Sequence, residues 1–428
     1  MINQRKVSII NLGCARNLVD AQTILGRIRR QGYQIGDLKE SDVAIVNTCA
    51  FVEEAKRESI DAILDLIDLK KKGRLKKVIV AGCLAQRYGK ELAREFKDVD
   101  AIIGVQKLEK DKLPDQIGLT PRHFVYLKIC ESCYNRCSFC IIPSIKGKFV
   151  SRTIESVVRE TRDLDARGVK EVNVIGQDIT AYGMDIYRRK ALAGLLKKMT
   201  AVTQNIRWIR LLYAFPAHVT DELIDVIADE KRICKYIDIP LQHISDKLLH
   251  SMNRGMTAQQ TLALIHKIRA RIPEAHLRTT FIVGLPGETD EDFQELLQFV
   301  RETRFEKLGV FVYSREEGTP AFDMPNQVPE RVKKERLDIL MQAQQEISRS
   351  FQKRLIGRTL SVLIDEEGAK PPRQRGEGRD FYLGRTEHDA PDVDGVVHVS
   401  SGKKLNPGDM VNVKITDAYE YDLAGEIV

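Results

Sequence analysis

The sequence lacks any hydrophobic run long enough to cross a membrane. Its 428 residues are 43% hydrophobic, yet no apolar stretch approaches the roughly 20 residues that a membrane-spanning helix requires. The first residues, Met1 to Lys6, also lack the apolar core of a secretory signal. These absences predict a soluble protein of the cytoplasm. The length suits two or three domains, and the sequence has no internal repeat.

Cysteine is scarce, with eight residues in the whole chain. In a reducing compartment, clustered cysteines bind metal or react rather than form disulfides. Three of them, Cys133, Cys137 and Cys140, follow a C-x3-C-x2-C pattern. A cubic iron–sulfur cluster has four iron corners held by thiolates, so three protein ligands leave one iron open. An open metal position indicates chemistry, whereas a complete ligand set indicates structure.

Two other interpretations of these three cysteines are weaker. Structural zinc takes four ligands, usually as paired C-x2-C units, and no nearby histidine completes the set. Structural burial is disfavoured because Asn135, Arg136 and Ser138 are interleaved with the thiols. By contrast, Cys130 ends a predicted strand and Cys234 lies beside Lys235 and Tyr236, so we expect both to be packed thiols.

The first hundred residues alternate between strand and helix patterns, which predicts a three-layer parallel α/β domain. Cys14, Cys49 and Cys83 each follow a predicted strand. The carboxyl ends of parallel strands lie on one edge of a sheet, where ligands bind. Three buried thiols acting as small apolar residues are the alternative, but the shared topological position favours one common site.

The middle of the chain repeats helix and strand units, which predicts a full or partial (β/α) barrel. The C-x3-C-x2-C segment follows its first predicted strand and is therefore expected at the catalytic mouth. Other polar or glycine-rich segments end later strands and are candidate cofactor contacts or turn formers. The candidates are Gln177, Asp178, Gln242, His243, Gly284, Gly287 and Glu288.

The C-terminal part reads as a long helix, Glu330 to Lys353, followed by short strands typical of a small β-barrel. A Pro-, Gly- and Arg-rich stretch from Glu367 to Gly378 is predicted to be a loop within it. We therefore divide the chain into domains at 1–120, 121–353 and 354–428. The last has ten Lys and Arg against fourteen Asp and Glu, a net charge of −4 on a chain of net +7.

The C-x3-C-x2-C motif resembles that of the radical S-adenosylmethionine (SAM) superfamily, and the whole chain resembles its methylthiotransferase family. That family joins an N-terminal domain with three cluster cysteines, a radical SAM barrel and a small β-barrel called TRAM. The resemblance implies two 4Fe-4S clusters, one auxiliary and one that binds SAM. It assigns Cys14, Cys49 and Cys83 to the auxiliary cluster, and Cys133, Cys137 and Cys140 to the SAM cluster.

Within that family, four segments resemble the branch that acts on a ribosomal protein. They are Asn17 to Asp20, Ile142 to Gly147, Gln242 to Asp246 and Gly384 to Gly395. The resemblance implies that one SAM methylates a sulfur at the auxiliary cluster. A second SAM yields the radical that removes hydrogen from the β-carbon of an aspartate in the twelfth small-subunit ribosomal protein. Such a C–H bond is beyond ordinary acid–base catalysis.

The acidic C-terminal domain bears on the substrate. It repels RNA phosphates, whereas a basic ribosomal protein is attracted to it. Glu387, Asp389, Asp392 and Asp394 are candidate substrate contacts, or simply a solvated acidic loop. An external electron donor and a sulfur donor are also expected. The alternatives are a tRNA adenosine methylthiotransferase of the same family and, more remotely, a non-catalytic iron–sulfur or zinc protein that binds ribosomes.

Overall fold

The computed structural model describes residues 6–111, 116–368 and 380–428. Most of the loop predicted at Glu367 to Gly378 lies outside these ranges. Among the described helices, none combines the length and the hydropathy needed to span a bilayer.

The N-terminal part is a five-stranded parallel sheet in the order β2-β1-β3-β4-β5. Every residue of the central strand β3 is buried, as expected for an apolar strand with neighbours on both sides. The alternation predicted from the sequence is confirmed, although two short edge strands were not anticipated. The elements are β1 (Lys6–Asn11), α1 (Ala15–Arg30), β2 (Gln34–Ile35), β3 (Val43–Thr48), α2 (Glu53–Lys71), β4 (Lys77–Gly82), α3 (Cys83–Glu95) and β5 (Ala101–Ile103).

The central part is an open sheet of six parallel strands in the order β13-β12-β11-β10-β9-β6, which is a partial barrel. A two-stranded ribbon, β7-β8, follows the first strand. Its strands are β6 (Phe124–Lys128), β7 (Cys130–Glu131), β8 (Val150–Ser151), β9 (Glu171–Ile175), β10 (Trp208–Leu211), β11 (Ile233–Asp238), β12 (His276–Val283) and β13 (Lys307–Val312). Its helices are α4 (Ile142–Lys146), α5 (Ile154–Ala166), α6 (Leu192–Ala201), α7 (Asp221–Asp229), α8 (Asp246–Ser251), α9 (Ala258–Arg271) and α10 (Asp290–Thr303).

The two faces of this open sheet have different neighbours. Leu127 and Val174 belong to the large core that includes helix residues such as Leu196. Adjacent residues of a strand point to opposite faces of the sheet, so the neighbours of Leu127 and Val174 lie on the other face. Tyr126 on that opposite face packs in a separate core with Val19 of α1. The N-terminal domain therefore covers part of the concave face.

A long helix, α11 (Glu330–Lys353), leads into a closed five-stranded barrel in the order β14-β15-β16-β18-β17. Alternate strand residues, such as Val362, Val399 and Ile415, fill its interior. The predicted small β-barrel is thus confirmed. Its strands are β14 (Thr359–Glu367), β15 (Asp380–Thr386), β16 (Val397–Ser401), β17 (Met410–Ala418) and β18 (Leu423–Ile427).

The C-terminal barrel docks against the concave face of the central sheet, at the amino ends of its strands. Glu171, at the start of β9, is fully buried. One of its carboxylate oxygens accepts a hydrogen bond of 2.8 Å from Arg210 Nε, and the other lies 2.7 Å from Arg385 Nη1 of β15. Leu363 and Ala390 add apolar contacts in the same core. This end of the partial barrel is therefore closed by the C-terminal domain.

The acidic residues that were candidate substrate contacts lie at this interface. Asp389 is 6% exposed, and its Oδ1 lies 2.6 Å from Lys307 Nζ. Asp394 accepts a hydrogen bond of 2.8 Å from the Tyr236 hydroxyl. Both carboxylates therefore have partners inside the molecule and contribute to the docking of the C-terminal domain.

The other two acidic candidates are more accessible. Asp392 is exposed, although its Oδ2 accepts a hydrogen bond of 3.1 Å from Tyr126. Glu387 is half-buried, and its carboxylate accepts from the backbone N–H of Lys235 at 3.3 Å. Asp392 is therefore the member of the four whose side chain is open to a partner.

Acid is expected to weaken this docking. His276 stacks on His388 across the interface, with ring centroids 3.7 Å apart. Burial, reinforced by the cation of Lys307, lowers the pKa of His276 to about 4. A histidine kept neutral in the folded state contributes stability above its ordinary pKa, and this contribution is lost as pH falls toward the lowered value. The apparent melting midpoint should therefore fall between pH 7 and pH 5.

The variant His276→Phe keeps a flat ring against His388 but removes the titrating group. Its midpoint should fall less over the same pH range, as measured by differential scanning fluorimetry. The variant His266→Phe, at an exposed position of α9, serves as the control and should follow the parent chain. Parallel pH profiles for the parent and His276→Phe would contradict the assignment.

Candidate metal and cofactor site

The three N-terminal cysteines lie at the carboxyl ends of neighbouring strands. Cys14 precedes α1, Cys49 follows β3, and Cys83 opens α3 directly after β4. In the sheet β1, β3 and β4 are adjacent, so the topology brings the three thiols to one edge. They are close enough for the thiols of Cys14 and Cys49 to raise the pKa of Cys83, after the larger effect of burial. The shared edge predicted from the sequence is confirmed.

Two glycines allow this close approach. Gly13 has φ +87°, and a Cβ built on it would lie 2.8 Å from Cys49 Cβ and 3.0 Å from its Sγ. Gly82 has φ +95°, and its Cβ would lie 2.7 Å from the Thr48 carbonyl oxygen. Any other residue would be strained in this backbone region and would push the cysteine-bearing segments apart.

Asn17 ties the three segments together and was not singled out as a site residue from the sequence. Its buried Nδ2 donates to the carbonyl oxygens of Leu12 and Thr48, both at 2.9 Å. Its Oδ1 accepts from Cys83 Sγ at 3.6 Å. The position one helical turn after Cys14 was the available signal, since it turns Asn17 toward the same strand ends.

The second group of thiols lies in the loop between β7 and α4. Asn135 Nδ2 lies 3.6 Å from Cys133 Sγ and donates to Asp178 Oδ2 at 2.8 Å. Arg254 Nη1 lies 3.4 Å from Cys137 Sγ. Two N–H donors therefore point at sulfur atoms of this loop. Such donors match thiolate sulfur, whose hydrogen bonds tune iron–sulfur clusters.

Neighbouring residues fix the shape of this loop. Ser132 has φ +65°, a left-handed conformation, and its buried hydroxyl donates to the Gly147 carbonyl at 2.6 Å. Cys130 is fully buried, with Sγ 3.5 Å from the Asp178 carbonyl oxygen. Cys234 is also buried. The prediction that Cys130 and Cys234 are packed thiols agrees with these positions.

The burial of the thiols makes them poor acids without a cation. Burial raises the pKa of Cys83 and Cys140 to about 12 and that of Cys133 to about 11. Cys14 differs, because the positive charge of Arg16 and nearby backbone hydrogen bonds outweigh burial and lower its pKa. Metal binding requires thiolates, so binding at these sites would release protons.

Both thiol groups fit iron–sulfur ligation. Among the described residues, no three His, Cys, Asp or Glu side chains converge on a point that would hold a single ion. Cluster ligands need not converge in this way, since each thiolate binds a different iron. Three thiols at one sheet edge, and three more in a loop with N–H donors aimed at sulfur, match that requirement.

The mouth of the partial barrel also has polar atoms without partners. The buried Oε1 atoms of Gln177 and Gln242 accept no hydrogen bond from the residues that the structure describes. Gln177 Nε2 donates to Glu131 at 2.9 Å, and Gln242 has φ +77°. Buried polar atoms without a partner are costly, so a bound ligand with donor groups would satisfy them. Both glutamines are thus suited to a cofactor contact.

The remaining candidates near the mouth have internal roles. Glu288 Oε2 accepts from the backbone N–H groups of Gly284 and Leu285 at 2.7 and 3.1 Å, and Oε1 accepts from Arg336 at 2.8 Å. The Glu288 carboxylate therefore shapes the glycine-containing loop. Gly287 donates its N–H to the Asn326 carbonyl at 2.9 Å.

Asp178 and His243 likewise have protein partners. Asp178 caps a short 3-10 helix, Ile179–Ala181, and its Oδ2 lies 2.8 Å from His218 Nδ1. His243 is fully buried, and burial lowers its pKa to about 3, so the ring is neutral. Asp178 therefore orients Asn135, and His243 packs behind the mouth.

A buried charge network links the segments that carry the two thiol groups. Lys128 forms ion pairs with Asp20 and, at 2.6 Å, with Glu131. Lys146 lies 2.9 Å from Asp20 and 3.5 Å from Glu131. All four side chains are at most 6% exposed, and their charges balance. The network connects α1, the first barrel strand and α4.

Sequence comparisons match all three parts of the chain. Residues 127–300 match the Radical SAM superfamily, residues 6–104 match the uncharacterized protein family UPF0004, and residues 356–428 match the TRAM domain. A protein of Geotalea uraniireducens (strain Rf4) is 47% identical over 451 residues, covering 99% of each chain. A protein of Clostridioides difficile (strain 630) is 44% identical over 449 residues, again covering 99% of each chain. Both are described as ribosomal protein uS12 methylthiotransferase RimO.

Among solved structures, the radical S-adenosylmethionine methyltransferase TsrM from Kitasatospora setae is similar with a TM-score of 0.53. Its sequence identity is 15%, and the match covers 86% of this chain and 80% of that chain. At this identity the similarity concerns the fold alone.

Proposed function

This chain belongs to the ribosomal protein uS12 methylthiotransferase RimO family, and from that premise we propose that it transfers a methylthio group to uS12, the twelfth small-subunit ribosomal protein. The acceptor is the β-carbon of an aspartate. One structural observation supports this most: the fold holds two separate groups of three thiols, one at the edge of the N-terminal sheet and one in a loop of the barrel. A methyltransferase or a single-cluster enzyme has no evident need for the second group.

We assign one 4Fe-4S cluster to each thiol group. Cys14, Cys49 and Cys83 would hold the auxiliary cluster, and Cys133, Cys137 and Cys140 the cluster that binds SAM. When bound, the SAM cluster would supply reductive cleavage of SAM to a radical, and the auxiliary cluster would hold the sulfur that receives the methyl group. The chain orients them: Gln177 and Gln242 offer unpaired oxygens to SAM, and Asn135 and Arg254 direct N–H groups toward the cysteine sulfurs.

The closed end of the barrel sets the direction of substrate entry. Glu171, Arg210 and Arg385 fill the concave face at the amino ends of the strands. The thiols lie at the opposite, carboxyl ends. The substrate aspartate must therefore enter from the carboxyl edge, between the N-terminal domain and the barrel mouth, where radical chemistry is kept from bulk solvent.

The remaining assignments are consequences of this function. We divide the chain into an auxiliary-cluster domain (1–120), a radical SAM barrel (121–353) and a TRAM-like substrate-binding barrel (354–428). An external electron donor and a sulfur donor are required partners, and a ribosomal substrate implies the cytoplasm. Of the four candidate carboxylates, that of Asp392 is the one open to a basic partner.

An anaerobic assay tests the proposal. The chain, reconstituted with iron and sulfide, is incubated with SAM, a chemical reductant and either purified uS12 or unmodified tRNA. We expect 5′-deoxyadenosine to form and uS12, but not tRNA, to gain the mass of a methylthio group. Fragment mass spectra should place that group on an aspartate. Modification of tRNA in place of uS12 would refute the substrate assignment, and absence of 5′-deoxyadenosine would refute the reaction class.

A further inference from the structure

Arg16 is a cationic side chain that lies between the two thiol groups. It comes two residues after Cys14, in the first turn of α1. Its Nη1 donates to the Gly176 carbonyl, just beyond β9, at 3.0 Å. Gly176 directly precedes Gln177, whose side chain donates to Glu131, just before the loop that carries the second thiol group. The guanidinium thus crosses from the N-terminal domain to the barrel mouth.

The guanidinium lies over an aromatic ring. Its Cζ lies 4.2 Å from the ring centroid of Tyr213, a distance typical of a cation–π contact. Tyr213 has φ +70°, and its backbone N–H donates to Asp238 Oδ2 at 2.8 Å. A bulky residue in the left-handed region costs energy, and such strain clusters at functional sites. The strained backbone of Tyr213 directs its ring toward Arg16.

Arg16 differs from the neighbouring cations in its partners. Lys128 and Lys146 are both paired with Asp20 and Glu131. Within the described parts of the chain, no carboxylate lies within 4.0 Å of the Arg16 guanidinium. A guanidinium has five N–H donors, of which one is used by Gly176 and another by the Cys14 sulfur. Arg16 therefore has a positive charge and several donors available for an anionic ligand.

The proposed substrate supplies such an anion, so the role inferred for Arg16 rests on the proposed function. The reacting β-carbon of an aspartate is bonded directly to its carboxylate. When the β-carbon is presented between the two thiol groups, the carboxylate is brought to the same place. An unpaired carboxylate in a partly buried site is costly. Arginine is the side chain whose planar donors match a carboxylate in a bidentate pair.

We propose that Arg16 binds the side-chain carboxylate of the substrate aspartate, with Tyr213 holding the plane of the guanidinium. Arg16 is then the residue that selects aspartate over asparagine. The amide of asparagine has the same shape but no charge, and its NH2 group faces N–H donors. The site therefore rejects asparagine by losing a charge-assisted pair and by opposing donor to donor.

The test measures binding, not turnover. Purified uS12 and its form with the target aspartate changed to asparagine are titrated anaerobically into the reconstituted chain, by isothermal calorimetry. A hydrogen bond to a charged group contributes about 1.5–3 kcal/mol, so the parent chain should prefer aspartate by roughly tenfold to a hundredfold. With Arg16→Gln, affinity for the aspartate form should fall by that factor, while affinity for the asparagine form should not fall.

Three further variants separate selection from structure. Arg16→Lys keeps the charge and should retain part of the preference, whereas Tyr213→Ala should reduce it. Arg57→Gln, at a 75% exposed side chain of α2, is the control and should keep the full preference. Iron and sulfide content are measured for each variant. If Arg16→Gln loses iron, the role of Arg16 is judged instead from the aspartate preference of Arg16→Lys and Tyr213→Ala. Both of these variants keep a positive charge at position 16.

The outcomes distinguish this inference from the proposed function. If the parent chain does not modify uS12, the proposed function fails. If it does so, but Arg16→Gln weakens both forms of uS12 equally or leaves the preference intact, the role assigned to Arg16 is refuted.

Discussion

Replacing Cys14 with alanine is expected to abolish methylthio transfer to uS12 and to leave the reductive cleavage of SAM intact. Cys14, Cys49 and Cys83 lie on the sheet edge of the N-terminal domain, whereas the C-x3-C-x2-C thiols lie in a loop of the barrel. Removing one of three thiolates leaves two, too few to retain a cluster that has no other protein ligands. The barrel thiols are untouched, so cleavage of SAM should continue.

The measurement combines metal analysis with product analysis. Reconstituted Cys14→Ala should hold roughly half the iron of the parent chain, as expected for one of two clusters of equal size. It should still form 5′-deoxyadenosine from SAM, with no mass gain on uS12. Cys137→Ala should show the opposite defect, with no 5′-deoxyadenosine. Unchanged iron content in Cys14→Ala, or continued methylthio transfer, would contradict the two-cluster assignment.

A matched control comes from a cysteine outside both groups. Cys234 is 1% exposed and packs on the concave face with Trp208 and Tyr236. Cys234→Ala removes one buried sulfur, which costs on the order of 1 kcal/mol and touches no proposed ligand. It should therefore keep full iron content and full transfer activity, so any loss seen in Cys14→Ala cannot be attributed to removing a thiol as such.

The two thiol groups could be predicted because topology alone places them. Cys14, Cys49 and Cys83 each follow a strand with a clear apolar pattern, and parallel strands end on one edge. The same rule indicated Gln177 and Gln242. It applies equally to Tyr213, which lies two residues after the end of β10. An aromatic residue at that position was not recognised as part of a site.

Arg16 was beyond this kind of reasoning. It lies on α1 of the N-terminal domain, and its partner Gly176 is far away in sequence and belongs to the barrel. Periodicity tells which face of α1 is buried but not which residues of another domain meet it. The contact across the domains depends on how α1 sits over the concave face of the barrel, which no local pattern encodes.

The net charge of the C-terminal domain gives less information about individual residues. A net charge of −4 counts every carboxylate equally, whether it faces solvent or a lysine. Asp389 and Asp394 lie against Lys307 and Tyr236 of the barrel, so their charge is largely neutralised inside the molecule. Net charge describes the field around a domain. It does not identify which carboxylates remain available to a partner.

The buried ion pairs at the same interface are expected to have a large effect on the stability of the chain. Glu171 and Arg210 are both fully buried, and Arg385 is 3% exposed. Glu171 is the carboxylate that contacts both guanidinium groups, whereas Arg385 has a further partner in Asp365, at 2.7 and 2.9 Å. Removing one partner of a buried ion pair leaves an uncompensated charge, which costs about 3–5 kcal/mol. Glu171→Gln, which preserves the shape, is therefore expected to destabilise the docked chain by about that amount.

Urea unfolding followed by circular dichroism measures this loss, and limited proteolysis reports whether the C-terminal barrel separates first. Glu222→Gln is the matched control, since Glu222 is 60% exposed and pairs with Lys197 at 3.0 Å. An exposed pair of this kind contributes at most about 1 kcal/mol. A double-mutant cycle with Arg385→Gln isolates the part of the loss that crosses the domains, because it measures the coupling of Glu171 with Arg385 separately from the pair that Glu171 makes with Arg210. If Glu171→Gln and Glu222→Gln lower the unfolding midpoint equally, the buried triad does not hold the C-terminal barrel in place.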